Sequence, residues 1–322
     1  MKASSGRGGE AAALRLIASL LPPAPAGEVW IGDDAAVLRR PASGSLLLAS
    51  DLVAEGVHAD LSLVGASDMG WKALAANLSD LAAMGGRPIG ATVAVAGPAA
   101  TDLGGLYQGL AECAAEHSCP VVGGDLSVAD QLVVAVSALG VVEGRPVLRS
   151  GARPGHCLFV TGRLGASAAG LDVLRRAARR GVAERPEAAA LAMAHRRPRP
   201  RLQAGEAARL AGASAMIDVS DGLALDLSRL AEASGVGFVL ERVPVAEGAS
   251  LEEALGGGED YELVFAAPDP MAVEERFGAA GLPAPVRIGT CLADPSERRL
   301  GDQPLDPLGW QHPWRGPRRL SD

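Results

Sequence analysis

The sequence predicts a two-domain protein of the α/β or α+β class, and three observations carry that expectation. The chain has 322 residues, 48% of them apolar, which is material for more than one core. Strand-like and helix-like stretches alternate through both halves. Between the halves lies a polar link, Arg149-Ser150-Gly151-Ala152-Arg153-Pro154-Gly155, which places the domains at 1–148 and 149–322.

Residues 1–8 are rich in Gly and Ser and are expected to be disordered. Residues 10–21 read as a helix stopped by Pro22-Pro23. Short strand-like stretches follow at 27–31, 35–38 and 45–50. Residues 71–84 read as a helix, because Leu74, Leu78 and Leu81 fall on one face and Gly85-Gly86 then Pro88 end it. Strands are expected at 89–96 and 132–142, with a helix over 103–116 between them. In the second half the pattern gives strands at 157–161, 216–219, 238–240 and 261–266. It gives helices at 165–180 and 223–234, the first with a solvated arginine face at 175–180. The Arg/Pro-rich stretch 196–201 reads as a surface loop able to move over a site.

Composition excludes several classes. The net charge of −8 argues against nucleic acid as a partner, whose footprint is basic. The only lysines are Lys2 and Lys72. Cys113, Cys119, Cys157 and Cys291 lack zinc spacing with histidine and are expected as reduced thiols in a cytoplasmic protein. The sequence has no signal-peptide core and no apolar run long enough to span a membrane.

The informative feature is where aspartates fall. Asp33-Asp34 follows Val29-Trp30-Ile31-Gly32, and Asp51 follows Leu46-Leu47-Leu48-Ala49-Ser50. Asp80 lies three residues after Asn77, on the same helical face. Asp125 follows Val121-Val122-Gly123-Gly124, and Asp218 and Asp221 flank Val219-Ser220. A single aspartate at a strand end is ordinarily a turn former or helix cap. Six such positions, beside glycine or other small residues and with few basic neighbours, are another matter. Burying an unpaired carboxylate costs several kcal/mol, so these groups are expected to share a cation, with Mg2+ the natural choice. The glycines before Asp125, and Gly256-Gly257-Gly258 before Glu259, can present backbone N–H groups to phosphate. Neither a Walker loop nor the protein-kinase signatures occur.

Seven strings together resemble the thiamine-monophosphate kinase family in order and spacing. They are Ile31-Gly32-Asp33-Asp34-Ala35-Ala36, Glu55-Gly56-Val57-His58, Asn77-Leu78-Ser79-Asp80-Leu81-Ala82-Ala83-Met84-Gly85, Gly123-Gly124-Asp125, Arg149-Ser150-Gly151-Ala152, Asp218-Val219-Ser220-Asp221-Gly222-Leu223 and Gly257-Gly258-Glu259-Asp260-Tyr261-Glu262-Leu263. The resemblance implies an aminoimidazole-ribonucleotide-synthetase-like fold and a homodimer in which the N-terminal domains build a shared barrel. It implies ATP, several Mg2+ ions and direct phosphoryl transfer to thiamine monophosphate.

Carried over by residue, Asp34, Ser50, Asp51, Asp80, Asp125, Asp218 and Asp221 resemble the metal ligands, with Asp80, Asp125 and Asp221 nearest the chemistry. Gly124, Arg149 and Ser220 resemble ATP contacts, and Tyr107 is suited to stacking on adenine. His58 and Glu259 resemble contacts to the thiamine substrate, and Trp310 and Trp314 compete for an aromatic place in that pocket. The sequence departs from the family pattern at Ala49, Ala59 and Leu126.

A phosphate monoester acceptor is largely dianionic at neutral pH and needs no general base. The protein's work is then charge neutralisation and in-line positioning. Two alternatives stay open on the residues alone. Another enzyme of the superfamily would need a reactive N-terminal cysteine, absent from residues 1–10, or a C-terminal cysteine motif, where this chain reads Arg319-Leu320-Ser321-Asp322. A non-catalytic thiamine-phosphate-binding protein would bind without turnover.

Overall fold

The computed structural model describes residues 7–28, 36, 38, 41–181 and 188–312. Its first sheet has four strands: β1 (Ser45–Ala54), β2 (Arg87–Gly97), β3 (Val121–Val128) and β4 (Val133–Val142). They are ordered β1-β4-β2-β3 and antiparallel except for β2 and β3. That parallel pair is joined by the crossover helix α3 (Leu103–Glu116), as a parallel connection requires. Helices α2 (Ala66–Ala83) and α3 cover one face, with α1 (Arg7–Leu20) against α3. The period-2 pattern of β4 sends Val134, Val136 and Ala138 into this core. The opposite face is open, and Leu46, Leu48 and Leu52 are exposed on it.

Helix α2 is buried almost all round, because it lies between the sheet and the second half of the chain. Leu74, Leu78 and Leu81 face the sheet core, while Ala82 and Ala83 pack with Ala204, Ala208, Phe159 and Phe265. Small residues on that second face let α6 (Leu202–Leu210) approach closely.

The second sheet runs β11-β10-β7-β9-β5-β8-β6. Its strands are β5 (Cys157–Val160), β6 (Ala215–Asp218), β7 (Gly237–Leu240), β8 (Leu263–Ala267), β9 (Val286–Leu292), β10 (Arg298–Leu300) and β11 (Gln303–Pro304). Helices α4 (Ala166–Arg180), α5 (Ala189–Arg196), α7 (Leu223–Ser234), α8 (Leu251–Gly256) and α9 (Pro270–Ala279) complete it. Leu158, Val160, Leu227, Leu230, Phe238 and Val264 form its core.

Several expectations need correction. Asp51 and Asp125 do not end strands; each lies inside one, β1 and β3. Residues 121–128 hide their strand character behind two glycines and alternate poorly. The strand expected from 261 begins at Leu263, because Tyr261 has φ 51° and cannot join a ladder. Helix α1 begins at Arg7, inside the stretch expected to be disordered. Gly27 lies in a turn with φ 86°, and residues 36 and 38 carry no regular structure. The remainder of the strands expected at 27–31 and 35–38 lies mostly outside the described residues.

The 196–201 stretch is a clamp rather than a free loop. Arg197 donates to Asp68 (2.7 Å), Glu112 (2.6 Å) and Ser67 (2.8 Å), and its guanidinium lies 5.3 Å from the Trp71 ring centroid. Trp71 Nε1 donates to the Pro198 carbonyl at 2.8 Å. Arg201 forks onto Glu262 at 3.0 and 2.6 Å. These bonds tie the α5–α6 connection to both sheets.

Candidate active site

Four of the aspartates, Asp51, Asp80, Asp218 and Asp221, lie within electrostatic reach of one another where α2 faces the second sheet. Asp51 shares its side of β1 with Leu47, Ala49 and Val53, which pack toward the helices. The Asp51 N–H donates to Asn77 Oδ1 at 3.0 Å, so the buried amide of α2 fixes the strand beside the helix. Asp80 lies one turn further along that face. Asp218 ends β6 and is fully enclosed, accepting from Ser79 Oγ at 2.8 Å.

Burial pushes the Asp218 carboxyl up to about 8, with Asp80 adding repulsion. Burial pushes Asp80 to about 6, with Asp51 adding repulsion and Arg149 opposing it. Asp51 opens to solvent on one side, yet its surroundings still raise its pKa, and Asp221 raises it further. The phenol of Tyr261 is buried among the same groups, and burial, then Glu259, Asp218, Asp51 and Asp80, hold its pKa well above the ordinary value. The cluster is thus short of positive charge. Among the described residues no three His, Cys, Asp or Glu side chains converge as a metal-binding group, and Asp34 lies outside those residues.

The loop carrying Ser220 and Asp221 is organised by a residue that sequence reasoning did not single out for the site. Asp226 Oδ2 accepts from the N–H groups of Ser220 (3.1 Å), Asp221 (2.9 Å) and Gly222 (3.1 Å). Arg229 Nη1 bridges Asp221 (2.5 Å) and Asp226 (2.7 Å). The Ser220 carbonyl in turn accepts the Glu259 N–H at 2.7 Å, which locks this loop to the glycine-rich one. Gly258, at φ 69°, is needed there, since a Cβ would stand 2.7 Å from the Ser220 oxygen.

A second group adjoins the carboxylates. His58 Nδ1 accepts the Ala54 N–H at 3.2 Å. Burial lowers the pKa of His58 despite Glu259, so the ring is neutral and its proton sits on Nε2. The His312 ring lies 5.3 Å from His58, and Trp310 lies 6.0 Å from His312. The Trp310 backbone N–H donates to the Asp221 carbonyl at 3.0 Å, so this pocket borders the acidic cluster directly. Glu259 takes both oxygens to Lys72 Nζ, at 3.1 and 3.0 Å, and its Oε2 lies 3.4 Å from His195 Nδ1. Lys72, His195, Tyr261 and His312 were not anticipated here. The signal for Lys72 was its isolation in a lysine-poor chain.

Other predicted residues fall elsewhere. Ser50 occupies the open face of β1, opposite to Asp51, and its Oγ lies 3.1 Å from Ser137 Oγ. Asp125 sits on β3, at the far edge of the sheet from Asp51. The register runs Asp51, Val136, Val93, Gly124, three strand spacings or roughly 14 Å. Asp125 neighbours Tyr107, whose phenol is pushed up to about 12 by burial and by that carboxylate. Gly124 has a packing reason of its own, since a Cβ there would meet the Val93 oxygen at 1.9 Å. Arg149 is exposed at the link between the sheets and acts electrostatically on Asp80 and Asp218. Trp314 lies outside the described residues.

The fold and this pair of groups define a class. Residues 32–142 match the AIR synthase related protein N-terminal domain, and residues 153–301 match the AIR synthase related protein C-terminal domain. Within that class, the chain is 41% identical over 254 residues to the thiamine-monophosphate kinase of Synechococcus elongatus, covering 73% of this chain and 76% of that one. The crystal structure of thiamine-monophosphate kinase from Stenotrophomonas maltophilia K279a is similar at a TM-score of 0.79 and 32% identity, over 92% of this chain and 97% of that one. AaThiL complexed with AMPPCP and TMP is similar at a TM-score of 0.76 and 32% identity, over 86% and 90%. The chain belongs to the thiamine-monophosphate kinase family.

Proposed function

We propose that this chain transfers the γ-phosphoryl group of ATP to thiamine monophosphate, giving thiamine diphosphate and ADP. The observation that carries the reading is the Asp51–Asp80–Asp218–Asp221 cluster abutting the His58–Glu259–Trp310 pocket, in a chain of this family. Membership of the family favours this over the other superfamily enzymes and over binding without turnover.

The donors suit a hard divalent ion in kind: all are carboxylate oxygens, and burial and mutual repulsion raise the pKa values of Asp80 and Asp218, a cost that a bound cation would relieve. We assign them, with Asp34 and Asp125, as the residues that would hold Mg2+, which when bound offsets the charge between the ATP polyphosphate and the acceptor's monophosphate. Arg149 adds a permanently charged fork for phosphate oxygens. Ser220 and Gly124 are assigned to ATP, and Tyr107 to its base. Neutral His58 offers Nε2–H as a donor to the acceptor, not as a base. In the transfer, an oxygen of the acceptor phosphate forms a bond to the γ-phosphorus as its bond to the β,γ-bridging oxygen breaks, and ADP leaves.

The active form we propose is a homodimer with domains at 1–148 and 149–322. In support, Leu46, Leu48 and Leu52 leave one sheet face uncovered. Closing edge strand β1 against β3 of a second copy into a barrel would cover that face. We place the protein in the cytoplasm, consistent with four free, buried cysteines. Among the described residues no helix is long and apolar enough to cross a membrane.

The test is an assay with ATP, Mg2+ and thiamine monophosphate that follows thiamine diphosphate. Turnover is expected with the monophosphate and at most weakly with free thiamine, which lacks the phosphate to be transferred onto. Equal turnover of thiamine would reject the mechanism.

A further inference from the structure

The buried lysine stands out. Only two of the 30 basic residues are lysine, and one of them, Lys72, is 2% exposed in the middle of the chemistry. An ammonium in such a place needs all three protons satisfied. Lys72 Nζ donates to Glu259 Oε1 (3.1 Å), to Glu259 Oε2 (3.0 Å) and to the His58 carbonyl (3.3 Å). A compact ammonium meets acceptors on several sides, which a flat guanidinium does not, and this accounts for a lysine in a chain otherwise built with arginine.

The three bonds reach two elements that share little else. His58 follows β1 in the first half, whereas Glu259 belongs to the glycine-rich loop of the second half. Glu259 has φ 56°, unfavourable for a side-chain-bearing residue. Something must hold it there, and the Lys72 ion pair is the strongest contact its carboxylate makes. His195, on α5, closes the other side, 3.4 Å from Glu259 Oε2 and 3.1 Å from Ser167 Oγ. Packed between α2 and α5, the carboxylate is held from both flanks while 25% of it stays open toward the pocket.

We propose that Lys72 is a positioning residue for the acceptor: its ammonium fixes the Glu259 carboxylate and the His58 backbone in one geometry across the two halves of the chain. It touches neither ATP nor the transferred phosphoryl group. The inference rests on the functional reading above, in which His58 and Glu259 contact thiamine monophosphate. Lys72 therefore sets recognition of the organic part of the acceptor and leaves nucleotide binding alone.

The experiment is steady-state kinetics of Lys72→Met, Glu259→Gln and the double variant, in full-length protein, varying each substrate at saturating Mg2+. Lys72→Met is expected to raise KM for thiamine monophosphate at least 10-fold while KM for ATP stays within 2-fold. Because Lys72 acts through Glu259, the double variant should match Glu259→Gln in KM rather than show the product of two losses. A merely structural lysine would shift both KM values and kcat together, and its loss would multiply with that of Glu259. Either pattern, or an unchanged KM for the acceptor, overturns the proposal. Should Lys72→Met fail to fold, Lys72→Gln keeps N–H donors without the charge and is expected to give an intermediate KM for the acceptor; an unchanged value there overturns the proposal equally. Failure of the functional reading would look different, since the unsubstituted protein would then turn over no thiamine monophosphate.

Discussion

Asp218→Asn should make the metal-free protein more stable while destroying its activity. Asp218 is 4% exposed and faces Asp80, and among the described residues no cation is in direct contact with it. Burial and repulsion move its pKa from 3.8 to about 8. Its folded-state pKa is raised, so the folded protein holds an extra proton between these values. Whatever stability the group contributes is therefore complete below 3.8 and is lost as pH rises toward 8. At about 1.4 kcal/mol per pH unit, the full span gives an upper bound of about 6 kcal/mol. Asp80 and Asp226 share the same field, and relaxation spreads the penalty, so a net gain of about 2–3 kcal/mol at pH 8 is the expectation. Asparagine keeps an oxygen for Ser79 Oγ, so no hydrogen bond is lost. For a chain of this size the gain corresponds to a rise of about 3–4 °C in Tm. Differential scanning fluorimetry in EDTA at pH 8 and pH 5 reads it: the gain should shrink by more than half at pH 5. Added Mg2+ should stabilise the unsubstituted protein and leave the variant nearly unmoved. A variant that melts below the unsubstituted protein at pH 8 in EDTA would show that the carboxylates do not repel one another, and would remove the argument for a shared cation.

Two further outcomes follow from the same contacts. Asp80→Asn should abolish thiamine diphosphate formation even at saturating Mg2+; retained turnover would show that this helix position carries no ligand role. Arg201→Ala should destabilise by about 1–3 kcal/mol in urea unfolding, because it strands the Glu262 carboxylate, 5% exposed, without its fork. Adding Glu262→Gln should recover much of that loss, and no recovery would mean that the arginine works through packing alone.

What was legible in the sequence depended on whether one element sufficed to express it. Helix α2 was legible because Leu74, Leu78 and Leu81 repeat at the helical period and a double glycine ends it, and Asn77 and Asp80 then had to share a face. The loop at Asp218–Asp221 was legible because acidic residues beside glycine after an apolar run leave few other roles. Ser50 and Asp51 show the limit. They are adjacent in sequence and resemble ligands of one site, yet strand alternation puts them on opposite faces of β1. That follows only once the strand is known to run through both residues instead of stopping before them. Tyr261 is similar: its aromatic character favours a strand, but the Glu259–Tyr261 turn overrides propensity and delivers the phenol into the carboxylates.

Lys72 and Glu259 are 187 residues apart, and neither carries any local sign of the other. Their pairing is a property of how α2 meets the second sheet. The acidic cluster obeys the same logic: Asp80 comes from α2 and Asp218 from the second sheet, and both are costly where they stand. The interface that brings these charges together is apolar, built of Ala82, Ala83, Ala204, Phe159 and Phe265. Hydrophobic burial there offsets the repulsion beside it, which lets the fold hold an electrostatically unfavourable site ready for a cationic partner. A substitution that loosens this interface should therefore weaken the site without touching a single charged residue.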